Sequence, residues 1–359
     1  MDRRSSDAGH YRLSKTLWLA GAALALSAPS IAAAQEAASE PAPEGARDKG
    51  VFSLVVENDS LATGDDRNYT SGIKLAYVSP ASSVPDWMQD IGDFTNAVSG
   101  SDPDFWGFAI GQSIFTPEDI QTAPAPPDQH PYAGWLYAQI MVAAEDDPNN
   151  GRASRFLDTY ELEFGIVGPS ALGEEAQRGI HQILNAPDPQ GWDSQLHDEF
   201  AFAGSFDRRW RAWRAYIDVP GGLEADLTPS AGVTLGTLRT EARLGLAARI
   251  GYRIDNDYGP PRVRPSLAGV EHFAGGPLSW SIFAGVQGRA VARDLFLDGN
   301  TFEDSASVDR IPYVADFQTG FAISGGAFRL AYTYVVRTDE FETQNARQDF
   351  GALSLSVRL

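Results

Sequence analysis

The sequence predicts an all-β protein, a transmembrane antiparallel β-barrel of about 12 strands with a short helix in an extracellular loop. Three observations point there. Apolar and polar residues alternate with period two through segments of about 9–14 residues. Aromatic residues, 11% of the chain, gather toward the ends of those segments, and 35 glycines supply turns between them. After Val51 no run of 18 apolar residues occurs, so a helical membrane protein is excluded. Charge narrows the partners: 28 basic and 48 acidic residues leave a formal net charge of −20, which repels phosphate over most of the surface and argues against a nucleic-acid partner. The lack of cysteine removes disulfides, thiolate zinc sites and cysteine nucleophiles.

Along the chain, residues 1–34 read as a secretory signal peptide. Arg3, Arg4, Arg12 and Lys15 precede an apolar stretch from Leu17 to Leu26, and Ile31-Ala32-Ala33-Ala34 forms a small-residue cleavage site before Gln35. At about ten apolar or small positions the stretch is too short to span a bilayer as a helix. Its removal takes away four basic and two acidic residues and moves the net charge from −20 to −22. Residues 35–49, rich in Ala, Glu and Pro, read as a disordered leader, and the barrel domain is expected over residues 50–359.

Period two then runs to the last residue. In Gly222–Leu235, Glu224, Asp226, Thr228, Ser230 and Thr234 alternate with Leu223, Ala225, Leu227, Ala231, Val233 and Leu235. Glu241, Arg243, Arg249 and Arg253 alternate with Ala242, Leu244, Leu246, Ala248, Ile250 and Tyr252. Phe328, Leu330, Tyr332, Tyr334 and Val336 form one face of a later segment, and Leu353, Leu355, Val357 and Leu359 form one face of the last. A soluble sandwich has shorter strands, averaging roughly 5–6 residues. Phe105-Trp106, Trp135 with Tyr137, Trp210-Trp213-Tyr216 and Tyr313 with Phe317 suit interfacial girdles around a lipid-facing band, with the charged face lining the lumen.

One segment departs from this pattern. Ala171–Leu184 has helical spacing, with Ser170 as a candidate cap, Glu174 and Glu175 in the first turn, and a stop at Asn185-Ala186-Pro187. A helix inside so long an inter-strand loop suggests a functional purpose.

Two constellations carry chemistry. His130, His181, His197 and His272 remain after signal cleavage, and Gln177 shares a helix face with His181, although spacing alone favours a polar helix surface. Glu57-Asn58-Asp59-Ser60 and Asp65-Asp66-Arg67-Asn68-Tyr69-Thr70 crowd carboxylates, amides and hydroxyls at one hairpin tip. These are the hard oxygen donors that calcium prefers, without EF-hand spacing; an acidic turn is the plain alternative. No Gly-x-Ser-x-Gly elbow is present.

Phe52-Ser53-Leu54-Val55-Val56-Glu57-Asn58-Asp59 followed by Asp66-Arg67-Asn68-Tyr69-Thr70-Ser71-Gly72 resembles the N-terminal signature of the outer-membrane lipid A 3′-O-deacylase family. Gly111-Gln112-Ser113-Ile114-Phe115-Thr116-Pro117, Pro131-Tyr132-Ala133-Gly134-Trp135, Gln177-Arg178-Gly179-Ile180-His181 and Gly191-Trp192-Asp193-Ser194 continue the resemblance in order. It implies a twelve-stranded, calcium-dependent barrel in the bacterial outer membrane that hydrolyses the 3′-linked acyl ester of lipid A. It also implies His181 as general base, Asn58 and Gln177 as further catalytic residues, and Asp59 and Thr70 as Ca2+ ligands, with His197 left as a loop residue. Lipid A or lipopolysaccharide is then the substrate, outer-membrane lipid the surroundings, and a monomer the expected state.

Two departures from the family stand out. The stretch after His181 offers only Asp188 in place of an acidic orienter, and the acidic loop Thr116–Thr122 lacks basic residues for phosphate, leaving Arg67, Arg178, Lys74 or bridging calcium. The alternative functions are an outer-membrane phospholipase, whose Ser-His pairing has no recognisable match, and a non-enzymatic structural or pore barrel.

Overall fold

The structure, a computed structural model, describes residues 49–61, 68–81, 102–146, 156–219, 222–254, 276–345 and 347–359, with isolated positions between 83 and 100 and at 273. The expected signal peptide, nearly all of the leader, Asp65, Asp66, Arg67 and His272 lie outside the described residues.

Among the described residues thirteen strands follow one another: β1 (Val51–Asn58), β2 (Asn68–Val78), β3 (Phe105–Thr116), β4 (Ala133–Glu145), β5 (Phe156–Val167), β6 (Glu199–Trp210), β7 (Trp213–Ile217), β8 (Leu223–Gly236), β9 (Arg239–Tyr252), β10 (Gly276–Asp294), β11 (Tyr313–Gly326), β12 (Phe328–Arg337) and β13 (Gln348–Arg358). Strands adjacent in the order β6-β5-β4-β3-β2-β1-β13-β12-β11-β10-β9-β8-β7 are hydrogen-bonded, and a further β6–β8 pairing closes the sheet. β6 and β7 run one after the other along β8, so the wall has twelve staves. The β6–β8 pairing closes the sheet on itself, while β7 pairs with β8 alone; closure matters because an open sheet edge is costly in hydrocarbon.

The alternation read from sequence decides which face each residue takes. In β1, Phe52, Leu54 and Val56 are exposed while Val51, Ser53, Val55 and Glu57 are buried. The exposed set continues around the barrel through Ile73, Leu75, Ile110, Leu136, Leu162, Leu244, Leu246, Ile282, Leu330 and Leu353, as a lipid-facing band requires. The lumen carries paired charges instead. Arg243 lies 2.7 Å from both Asp207 and Glu241, Arg249 pairs with Asp226, and Arg337 lies 2.7 Å from Asp316. Such charges survive out of bulk water because each has a partner.

Toward the helix-bearing rim the lumen is filled by Tyr69, Phe115, Trp135, Tyr137, Phe296 and Phe350, with Phe115 stacked on Phe296 at 4.1 Å. The aromatic girdle is thus correct only in part. Trp213, Tyr216, Tyr313 and Phe317 are exposed, but Phe105, Trp135 and Tyr137 face inward. Parity explains the difference: Trp135 and Tyr137 share the inward face of β4 with Gln139, and the Trp135 indole donates to Glu163 at 2.7 Å.

Candidate active site

The strand register brings four outward-facing positions onto one rung near the rim. Asn58 stands opposite Ser71, Ser71 opposite Ile114, and Ile114 opposite Gly134. With neighbouring strands ~4.8 Å apart, the row spans about 15 Å of the barrel's outer wall. A bulge shapes it. β2 carries one residue, Thr70, between Tyr69 and Ser71 that has no partner on β3. The bulge turns Tyr69 into the lumen, where its hydroxyl donates to Glu57, while the Thr70 hydroxyl lies 2.7 Å from that of Thr116. Asn58 donates its amide to the Thr70 carbonyl at 2.9 Å, and Asp59, 2% exposed, opens the short turn Asp59–Leu61.

A helix, α1 (Gly173–Leu184), covers the wall beside this row. Gln112 on β3 donates to the carbonyls of Ala171 and Leu172 at 2.7 and 3.1 Å, pinning the approach to the helix. Gly134 and Gly173 permit the close approach: a Cβ on Gly134 would meet the Gly173 Cα at 3.1 Å, and a Cβ on Gly173 would meet the Gly134 Cα at 2.9 Å. The expected cap and start are corrected here. Ser170 gives its backbone N–H and hydroxyl to Asp198, Leu172 occupies the cap position, and the helix begins at Gly173. Asn185 closes the helix in the left-handed conformation that asparagine tolerates.

The buried face of α1 carries Gln177 and His181, 1% and 5% exposed. Trp192 donates its indole N–H to Gln177 Oε1 at 2.8 Å and packs on Tyr132, in a cluster that also contains Ile114 of the rung. Among the described residues, Gln177 Nε2 is buried without a hydrogen-bond partner. His181 Nδ1 is hydrogen-bonded to the Pro187 carbonyl. A carbonyl only accepts, so Nδ1 is the donor, and in the neutral ring the lone pair then sits on Nε2, the tautomer a general base needs. Loop 117–132 steadies that segment, with Gln190 N–H bonded to the Ile120 carbonyl at 2.7 Å and the Gln121 amide to the Asp188 carbonyl at 3.1 Å. Asp188 does not serve as orienter. Its carboxylate faces Arg178 at 3.3 Å, and Arg178 also reaches Glu174 at 2.9 Å.

The remaining expectations fall as follows. Lys74 is buried on the inward face of β2 and cannot meet a lipid headgroup outside the wall; Arg178 keeps an exposed side chain. His197 is exposed, and its side chain lies 3.2 Å from Glu303. His130 is buried, stacked on Phe115 and bonded to the Pro131 carbonyl, and burial pushes its pKa down. Asn58, Thr70 and Thr116 are joined directly, and Gln177 and His181 share one helix face; Ile114, one residue pair from Thr116, links the two groups through Trp192. Trp192, Pro187, Thr116 and the Gly134–Gly173 contact went unassigned from sequence, although the stretches Gly191-Trp192-Asp193-Ser194, Gly111-Gln112-Ser113-Ile114-Phe115-Thr116-Pro117 and Pro131-Tyr132-Ala133-Gly134-Trp135 mark three of those places.

The oxygens of Asn58, Asp59, Thr70 and Thr116 are hard donors with one carboxylate among them, a set chemically suited to calcium completed by backbone carbonyls or water. Among the described residues no group of three or more His, Asp or Glu could hold a metal, so a nitrogen-rich transition-metal centre does not fit there.

A closed twelve-stave barrel with an apolar outer band and a polar patch beside a histidine-bearing loop helix fits an outer-membrane barrel protein. The chain belongs to the family described as outer membrane protein LpxR, whose profile matches residues 17–359. The solved structure of LpxR from Salmonella typhimurium is similar at a TM-score of 0.69 and 19% identity, covering 86% of this chain and 99% of that one. The β domain of the Bordetella autotransporter Brka, at 0.39 and 9% identity over 86% and 98%, shares only a general likeness. No curated protein sequence matches. Family and fold agree with the resemblance carried by the motifs and assign the protein to the outer membrane.

Proposed function

We propose that the protein is a calcium-dependent lipid A 3′-O-deacylase in which His181 activates water. The observation that carries this reading is the Pro187 carbonyl on His181 Nδ1, which leaves the basic nitrogen of a buried histidine on the side of the barrel that meets lipid. An ester linked to a lipid reaches such a site without entering the lumen, which ion pairs and aromatic rings fill.

In this reading Nε2 of His181 takes a proton from water as the oxygen attacks the ester carbonyl. The tetrahedral intermediate then collapses with loss of the sugar oxygen, the imidazolium returns the proton to it, and a fatty acid and an alcohol leave. A positioned base contributes roughly 10²–10⁴ in rate. Gln177, held through its oxygen by Trp192, turns its unpartnered N–H groups to substrate or water. Asn58, tied to Thr70 through its nitrogen, has an amide oxygen suited to a cation or a proton donor. Asp59 and Thr70 would hold calcium, which when bound supplies positive charge for the developing oxyanion. Arg178, partly exposed on α1, is a basic group available to a headgroup phosphate.

The test is release of fatty acid from lipid A by the purified barrel, followed by mass spectrometry with calcium and with chelator. Calcium-dependent release by the wild type and none by Asp59→Asn, with the barrel still folded, is expected. Equal release with and without calcium contradicts the metal assignment, and no release from any of several lipid A chemotypes contradicts the function.

A further inference from the structure

We infer that α1 is an interfacial helix whose Leu172–Ile180–Ile183 flank lies in the hydrocarbon of the outer leaflet, so that the candidate site opens sideways into the membrane. Two independent features support this. At 100° per residue, placing Gln177 and His181 against the wall divides the rest of α1 into two flanks. One carries Ala176, Ile180 and Ile183, with Leu172 just before the helix; the other carries Glu174, Glu175, Arg178 and Gln182. Ile183 is 84% exposed, Leu172 just before the helix 52%, and Ile180 39%. Ion pairs to Glu174 and Asp188 hold Arg178 on the opposite flank, the one suited to water.

The second feature is continuity with the lipid-facing band. Val56, Ile73, Leu136 and Phe200 lie along the rung formed by Val56↔Ile73, Ile73↔Gln112, Gln112↔Leu136, Leu136↔Ile166 and Ile166↔Phe200, and each of those four is exposed. Gly134, on which the helix start rests, is the next outward residue above Leu136, about 7 Å further along the strand. The apolar flank of α1 therefore continues the hydrocarbon-facing surface instead of standing clear of it, the arrangement of an amphipathic helix in an interface. The occupant is lipid acyl chain. In naming the deacylated lipid among those chains the inference rests on the function proposed above, whereas the depth of the helix does not.

The natural absence of cysteine makes a direct test simple. Single-cysteine variants Ile183→Cys and Ile180→Cys on one flank, and Glu175→Cys and Gln182→Cys on the other, are spin-labelled in the full barrel in liposomes of lipopolysaccharide and phospholipid. Collision with oxygen is compared with collision with a water-soluble nickel chelate. Labels at 183 and 180 are expected to favour oxygen several-fold over the nickel complex, and labels at 175 and 182 to show the reverse, with or without hydrolysis. That pattern in a protein that releases no fatty acid leaves the inference standing and removes the deacylase reading. Equal nickel access on both flanks overturns the inference even in an active enzyme. Burial at 183 that persists in detergent and scales with protein concentration also overturns it, since a second copy of the chain would then be the occupant.

Discussion

At the residue scale, the candidate site depends on groups held in place by their hydrogen-bond partners. His181 owes its tautomer to a backbone carbonyl, a device that side-chain spacing does not reveal, because it requires the left-handed Asn185 to turn the chain back so that Pro187 faces the ring. Asn58, Asp59, Thr70, Gln177 and His181 become candidates together only through the family resemblance; local pattern alone leaves an acidic turn open for the first three and favours a polar helix surface for the last two. Beyond the staves, two buried groups make acid sensitivity a consequence of the fold. Burial pushes the His130 pKa down. For Glu340, burial acts upward, but the guanidiniums of Arg337 and Arg289 prevail and hold it at about 2. Both signs agree: in each case the unfolded chain binds a proton more readily than the folded one. The stabilisation from His130 is complete above about 6.5 and declines as pH falls from there toward its lowered value. That from Glu340 is complete above 4.5 and is lost as pH falls toward about 2. Thermal melting across pH should therefore show falling stability toward acid, and Glu340→Gln should lower the neutral melting point and flatten the decline below pH 4.5. A variant with the wild-type profile contradicts this account of the Glu340 ion pairs.

At the scale of elements, alternation made most strands and their faces readable, because a period of two allows only two orientations per residue. It failed where a local irregularity changes the parity. The Thr70 bulge sends Tyr69 inward and brings Thr70 to Thr116, and nothing in Asn68-Tyr69-Thr70-Ser71 announces the extra residue. The helix was visible but its start was not, since Ser170 is taken by Asp198, 28 residues away. What seats α1 is the contact between Gly134 and Gly173. Gly134→Val should push the helix off the wall and reduce deacylation about a hundredfold, the scale of loss for a misplaced catalytic group, while the melting of the barrel changes little. Retained turnover in that variant shows that the close contact does not position His181.

Across the whole molecule, polarity is distributed in three zones: an apolar outer band, a lumen of paired charge and stacked aromatic rings, and an oxygen-rich patch outside the wall beneath α1. Composition foretold the first two in outline, since many aromatics and glycines suit long staves in lipid and mixed charge suits a lumen. It could not tell which aromatics face inward, nor that Lys74 serves the lumen instead of a phosphate, because closure of the barrel decides both. The most direct measurement of the central claim is fatty-acid release from lipid A by wild type and His181→Gln, side by side with calcium present. Loss of at least about 10² in rate in a variant that keeps its heat-modifiable barrel migration is the predicted result. Turnover by His181→Gln at the wild-type rate would contradict it.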